Sequence, residues 1–239
     1  MGLFRRKAKQ AAADCSVVVV AAGSSTRMGQ DKIMADVGGL PVIVRTLMAF
    51  QPLPEVSEII VVTREELIPE IAGLCKVFSL DKVTKVVKGG GSRVESARIG
   101  TLEARRDAQL IAIHDGARPF VTGEVISAAI ARAAETGAAA PAIPVRDTVK
   151  VARNGLVDHT PDRETLFAVQ TPQVFDADLI RAALQKALDD GAAITDDCLA
   201  VERLGMKVSL TEGDTRNFKL TDALDLTCAE AMLEQEGQE

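Results

Sequence analysis

Two cations close a glycine- and serine-rich stretch. In VVVVAAGSSTRMGQDK, residues 17–32, a valine run opens into Gly23, Ser24 and Ser25, and Arg27 and Lys32 follow. These types suit an anion. Gly23 lets a ligand approach the backbone closely, and successive N–H groups in such a loop form an anion-binding nest. A guanidinium and an ammonium complement phosphate oxygens. A polyphosphate cradle is the chemistry this pattern supports. It is not the P-loop of ATPases, because five residues separate Gly23 from Gly29 and Lys32 is not adjacent to the second glycine. The dinucleotide fingerprint G-x-G-x-x-G is absent as well. The plain alternative is a solvated loop with two surface charges.

Such a cradle needs a sheet behind it. Short apolar runs at 15–21, 58–63, 85–88, 110–115 and 138–144 predict strands, several apolar at nearly every position as strands covered on both faces are. Between them, 41–50, 64–75, 92–106 and 123–135 carry apolar residues at helical spacing, with later helices at 177–189, 196–204 and 221–234 and a strand at 207–211. Pro41 suits a first helical turn, whereas Pro69 is expected to shorten or kink its helix. The β–α alternation predicts a Rossmann-like, doubly wound α/β fold with a mostly parallel sheet. Ligands of such sheets bind beyond the carboxyl ends of the strands, where the Gly23–Lys32 loop would lie.

Residues 146–173 break the rhythm. Asn154-Gly155 stands between TVKVAR and LVDHT and predicts a type I′ hairpin. A ribbon this small is not stable alone, and a second subunit is a natural support. The expected organisation is a flexible tail at 1–14 and a single domain at 15–235 with an arm at about 146–168.

Composition sets the outer limits. The chain has 239 residues, 47% of them apolar, enough for a sizeable core. Its net charge of −6 and its lack of Trp and Tyr argue against a nucleic-acid partner. No apolar run reaches the length of a membrane span. Cys15, Cys75, Cys198 and Cys228 have no metal-ligand spacing, and a reduced, cytoplasmic protein is the simplest expectation.

Further stretches carry a resemblance. GGGSRVESARIG (89–100), IHDGARPFV (113–121), PVRDTVK (144–150), QTPQVF (170–175), ITDDCLAVERLG (194–205) and NFKLTDALDL (217–226) follow the AAGSSTRMG–DK loop. In order and spacing they resemble the motifs of 2-C-methyl-D-erythritol 4-phosphate cytidylyltransferases of the non-mevalonate isoprenoid pathway, over roughly residues 15–235. The resemblance implies a nucleotide-diphospho-sugar transferase-like fold. It implies transfer of CMP from CTP to methylerythritol phosphate with loss of pyrophosphate. A phosphate monoester is largely dianionic at neutral pH, so this nucleophile needs no protein base.

By that resemblance Arg27, Lys32 and Lys219 are the catalytic cations. Ala21, Ala22, Gly23, Gly90, Ser96 and Asp115 bind CTP, and Arg118 orders the loop beside Asp115. Thr148 and Arg163 on the arm, with Thr195, bind the alcohol phosphate, and the arm reaches into a neighbouring subunit to make a homodimer. Mg²⁺ or another divalent ion would bind mainly through the CTP phosphates, beside Asp115. Bland roles stand next to these. Ser92, Thr195 and Thr221 suit helix N-caps, and His114 suits a structural role rather than that of a base. The sequence departs from the family pattern at Ile33-Met34-Ala35, where a Gln-aromatic-Leu run is common, and at Gly91, where a bulkier residue is common. Ribitol 5-phosphate cytidylyltransferase, with the same chemistry on another alcohol, remains an alternative, as does a non-catalytic nucleotide binder on the same fold.

Overall fold

The computed structural model describes residues 14–23 and 31–236. The tail before residue 14 and Arg27 lie outside the described residues. In chain order the elements begin with β1 (Cys15–Val20), the short pair β2 (Asp36–Val37) and β3 (Leu40–Pro41), and α1 (Val42–Phe50). Then come β4 (Val56–Thr63), α2 (Ile68–Val77), β5 (Val83–Lys88), α3 (Arg93–Glu103), β6 (Leu110–Asp115), α4 (Gly123–Thr136) and β7 (Ala138–Pro144). The remainder is β8 (Val151–Arg153), β9 (Leu156–His159), β10 (Phe167–Val169), β11 (Gln173–Asp176), α5 (Ala177–Asp189), α6 (Asp197–Glu202), β12 (Ser209–Glu212) and α7 (Ala223–Glu236).

The strands form one eight-stranded sheet ordered β10-β7-β11-β6-β1-β4-β5, with β12 also on β7. β6, β1, β4 and β5 are mutually parallel, and β12 is parallel to β7. β10 and β11 run antiparallel to successive stretches of β7, and β11 also to β6. This is the mostly parallel, doubly wound architecture the alternation predicts. Period-2 geometry divides each central strand between two cores. Val17, Val19, Ile59 and Val61 pack with α1, α2 and α4 on one face. Val18, Ile60 and Val62 pack with α3, α5 and α6 on the other. On that second face Gly100 of α3 lies so close to the sheet that an added Cβ would sit 2.2 Å from Val18 Cγ1.

Element boundaries follow local chemistry. Pro41 stands just before α1, at the N-cap position rather than in the first turn, with φ −56° and ψ 140° and no side-chain cap. Pro69 shortens its helix as expected: residues 65–67 form only a 3-10 turn, and α2 starts at Ile68 rather than at 64, so that Pro69 falls in its first turn, where a missing N–H costs nothing. Ser92 caps α3, accepting from Glu95 N–H at 3.1 Å. Thr195 and Thr221 do not cap. Asp196 accepts from Leu199 N–H (3.0 Å) at α6, and Asp222 accepts from Leu224 and Asp225 N–H (3.0 and 3.2 Å) at α7. In both cases the next residue is an aspartate, whose carboxylate is the stronger acceptor. Asp225 then reaches back to Thr221 Oγ1 at 2.7 Å.

β8 and β9 form a separate two-stranded ribbon. Asn154 and Gly155 have φ of +50° and +79°, the positive values a type I′ turn requires. Leu156 and Val157 are 76% and 59% exposed on the ribbon, and Phe167 is 45% exposed at its base.

Candidate active site

The carboxyl ends of β1 and β6 and the loop after β5 surround a cavity of about 480 Å³. Its walls include Ala21, Ala22, Gly23, Lys32, Gly90, Ser92, Arg93, Ser96, Asp115 and Lys219. Eight residues singled out from sequence therefore meet in one place: Ala21, Ala22, Gly23, Lys32, Gly90, Ser96, Asp115 and Lys219. They come from positions almost 200 residues apart in a 239-residue chain.

Each wall has a local cause. After β5 the chain must turn beneath the loop that follows β1, and a Cβ on Gly89 would lie 2.6 Å from the Ala22 methyl. Ser96, in the first turns of α3, donates from its hydroxyl to the Ser92 carbonyl (2.9 Å) and accepts from Gly90 N–H (3.1 Å). Glu95 accepts from Gly91 N–H at 2.7 Å, and its side chain leaves no room for a Cβ on Gly90. The glycine loop is thus held in shape by α3 itself. On the opposite wall Ile33 is buried in the core at 2% exposure, and its N–H donates to Asp31 Oδ1 at 3.1 Å. Asp31 also pairs with Arg64, just past β4. Lys32 is thus seated on an aliphatic anchor, Ile33.

Asp115 organises the charges. At the end of β6, with its side chain 9% exposed, it faces Lys219 Nζ at 2.9 Å, Arg93 Nη2 at 3.4 Å and Arg118 Nε at 3.6 Å. Burial alone would raise its carboxyl, but Arg93, Lys219 and Arg118 outweigh burial and hold it well below the usual carboxylate range. The segment bearing Lys219 is pinned to the same strand end. Leu220 N–H donates to the Ala117 carbonyl (2.9 Å), Arg118 donates to the Asn217 carbonyl (2.6 Å), and Asn217 Nδ2 donates to the Thr171 carbonyl (2.8 Å). A residue a hundred positions away is thereby aimed at the cavity. Arg118 does not line the cavity; it braces this corner through Asp115 and the Asn217 carbonyl.

His114 is fully buried, and burial lowers its pKa from an ordinary 6.5 to about 4. Its Nε2 lies 3.2 Å from the Arg118 carbonyl, which can only accept, so Nε2 carries the proton. Nδ1 then accepts from Thr171 Oγ1 at 3.0 Å, while Thr171 accepts from Asp115 N–H at 3.2 Å. The imidazole is neutral and structural, and it fixes the backbone that carries Asp115.

Sequence reasoning missed two groups. Arg93 lines the cavity, and its guanidinium forks onto Asp197, Nη1 to Oδ1 at 3.0 Å and Nη2 to Oδ2 at 2.8 Å. Asp197 has no exposed side-chain surface. A signal was present: Arg93 is the first residue of α3, and a cation at the positive end of a helix is unfavourable without a partner. Conversely, Thr148, Arg163 and Thr195 do not line the cavity. All three are exposed. Arg163 makes no ion pair with Asp162 or Glu164 among the described contacts, and instead donates to the Arg146 carbonyl at 3.1 Å.

A cation-lined cavity at the carboxyl edge of a doubly wound sheet is the arrangement of a nucleotidyltransferase. The sequence profile of the 2-C-methyl-D-erythritol 4-phosphate cytidylyltransferase family matches residues 15–235, and the chain belongs to that family. The enzyme of that name from Caldanaerobacter subterraneus subsp. tengcongensis is 45% identical over 226 residues, covering 91% of this chain and 98% of its own. That of Halalkalibacterium halodurans is 42% identical over 220 residues, covering 91% and 96%. The crystal structure of 4-diphosphocytidyl-2C-methyl-D-erythritol synthase from Anaerococcus prevotii superposes with a TM-score of 0.84 at 30% identity, covering 93% of this chain and 99% of its own.

Proposed function

We propose that this chain transfers CMP from CTP to 2-C-methyl-D-erythritol 4-phosphate, releasing pyrophosphate, as a step of isoprenoid precursor synthesis. The observation that carries the site assignment is the meeting of Lys32, Lys219 and the Gly90–Ser96 wall around Asp115 in one cavity. An oxygen of the alcohol phosphate attacks the α-phosphorus of CTP, and the bond from that phosphorus to the bridging oxygen of pyrophosphate breaks. The nucleophile arrives already ionised. What the chain supplies is alignment of two mutually repelling anions and stabilisation of the charge on the phosphates.

Lys32 and Lys219 are assigned to the triphosphate and the reacting phosphorus, and Arg27, outside the described residues, is assigned the same role on the resemblance alone. Ala21, Ala22, Gly23, Gly90 and Ser96 are assigned to the nucleoside. Asp115 holds Lys219 in place and takes the ribose. Among the described residues the lining supplies a single carboxylate, and Asp115 already faces Arg93, Lys219 and Arg118. That donor set fits a Mg²⁺ held mostly by phosphate oxygens, as Mg²⁺ commonly is. When bound, the ion neutralises phosphate charge.

Thr148, Arg163 and Thr195 are assigned to the alcohol phosphate. The arm carries Leu156 and Val157 exposed and keeps Thr148 and Arg163 away from its own chain's cavity, which supports a homodimer in which each arm completes the neighbour's site. No helix among the described residues is long and apolar enough to cross a membrane. The free cysteines Cys15, Cys75, Cys198 and Cys228 suit the reducing cytoplasm assigned here. The test is pyrophosphate release from CTP with Mg²⁺, comparing methylerythritol phosphate with ribitol phosphate. Release with the first alone is expected. Release with ribitol phosphate alone keeps the chemistry and overturns the substrate, and release with neither from folded protein leaves a nucleotide binder.

A further inference from the structure

We propose that the Arg93–Asp197 pair is a positioning bridge that couples binding of the nucleotide to binding of the alcohol phosphate. The proposal rests on the site assignment above. Arg93 opens α3 directly after the Gly90–Ser92 wall on the nucleotide side. Asp197 opens α6 two residues after Thr195, assigned to the alcohol phosphate. The two helices are joined at their N-terminal ends through a forked pair with contacts of 3.0 and 2.8 Å.

The surroundings make this junction stiff. Gln173 of β11 accepts from the N–H groups of both Asp197 and Cys198 at 2.9 Å, and donates to Asp196 Oδ2 at 2.8 Å. The start of α6 is thereby tied to the sheet as well as to α3. Arg93 in turn leans on Asp115 at 3.4 Å, and Asp115 holds Lys219 at 2.9 Å. One chain of charges runs from the Thr195 segment through Asp197, Arg93 and Asp115 to the catalytic ammonium.

Stability is a weak reason for such a pair. A buried ion pair commonly contributes no more than apolar residues of the same size. Its distinguishing property is geometric, since a planar guanidinium forked onto a carboxylate fixes both distance and orientation. A ligand that orders the Gly90 wall orders Arg93, and through it the segment that receives the second ligand. Coupling of this kind is reciprocal and commonly amounts to about 5–150-fold in affinity.

The test is equilibrium binding of the non-cleavable α,β-methylene analogue of CTP, with Mg²⁺, in the absence and presence of saturating methylerythritol phosphate. The native chain is expected to bind the analogue at least about fivefold more tightly in the presence of the alcohol phosphate. In Asp197→Asn, which keeps the shape and loses the fork's charge, that ratio falls to about one while each ligand alone still binds. Arg93→Lys, which keeps charge without the fork, behaves likewise. Should either variant unfold, the paired apolar replacement Arg93→Met with Asp197→Leu carries the same expectation. A merely structural pair would lower the melting temperature and leave the ratio unchanged. An unchanged ratio in a folded variant overturns the bridge, and so does a native chain that binds both ligands without coupling. A native chain that binds neither ligand overturns the site assignment itself, a distinct result.

Discussion

Replacing Asp115 with Asn tests the charge organisation of the site at its centre. Oδ1 faces Arg93 at 3.4 Å, while Oδ2 faces Lys219 at 2.9 Å and Arg118 at 3.6 Å. An amide presents an oxygen on one side only, so in either orientation its NH₂ group points at a cation. The substitution also leaves positive charge uncompensated. Removing one partner of a buried pair costs about 3–5 kcal/mol, and the lower end applies because Arg93 and Lys219 keep part of their solvent contact. Denaturant unfolding at pH 7 should show that loss. Lys219 would lose its anchor, and a mispositioned charge stabiliser of this kind costs about 10²–10³ in rate. Turnover measured by pyrophosphate release under conditions where the variant is folded should fall by that amount. If Asp115→Asn kept turnover within about threefold of the native chain, far short of the loss of a preorganised charge, Lys219 would not depend on Asp115 and the organisation argued here would be wrong.

Other outcomes follow from the same geometry. His114 has a folded pKa of about 4 against an ordinary 6.5. Between those values the unfolded chain binds a proton that the native chain refuses. Its contribution is therefore full above pH 6.5 and is lost as the pH falls to about 4, of order 3 kcal/mol; His114→Gln should flatten that part of a stability-against-pH curve. Gly100→Ala places a methyl 2.2 Å from Val18 Cγ1 and 2.9 Å from Val62 Cγ2. Overpacking of about 1–3 kcal/mol should exceed the gain of about 1 kcal/mol in helix propensity, giving a lower midpoint in urea. Leu156→Asp on the arm should shift the proposed homodimer toward monomer in analytical ultracentrifugation and lower turnover at low protein concentration, since charge is depleted at interface cores.

Much of this was legible in the sequence because local chemistry and tertiary structure agree. The valine run at 17–20 and IIVV at 59–62 are apolar at every position, and both faces of those strands are covered. Asn154-Gly155 specified its own turn. Lys32 could be placed because its loop follows β1 and so falls at the sheet's carboxyl edge, whereas Gly90 was placed through the resemblance. Lys219 could be placed only through the resemblance, since its position depends on hydrogen bonds from Arg118 and Asn217 that no local pattern announces. Arg93 announced itself only by standing at the positive end of α3, and nothing local pointed to Asp197, its partner 104 residues away. Cap residues erred by one position at Thr195 and Thr221, where a neighbouring carboxylate outcompetes a hydroxyl.

The most direct test of the account follows the oxygen atoms. Methylerythritol phosphate carrying a heavy-oxygen label in its phosphate would be turned over with unlabelled CTP and Mg²⁺, and both products analysed by mass spectrometry. Attack by the alcohol phosphate on the α-phosphorus predicts that all of the label stays in the CDP-alcohol and none enters pyrophosphate. Label in pyrophosphate, or folded protein that forms no CDP-alcohol, would contradict it.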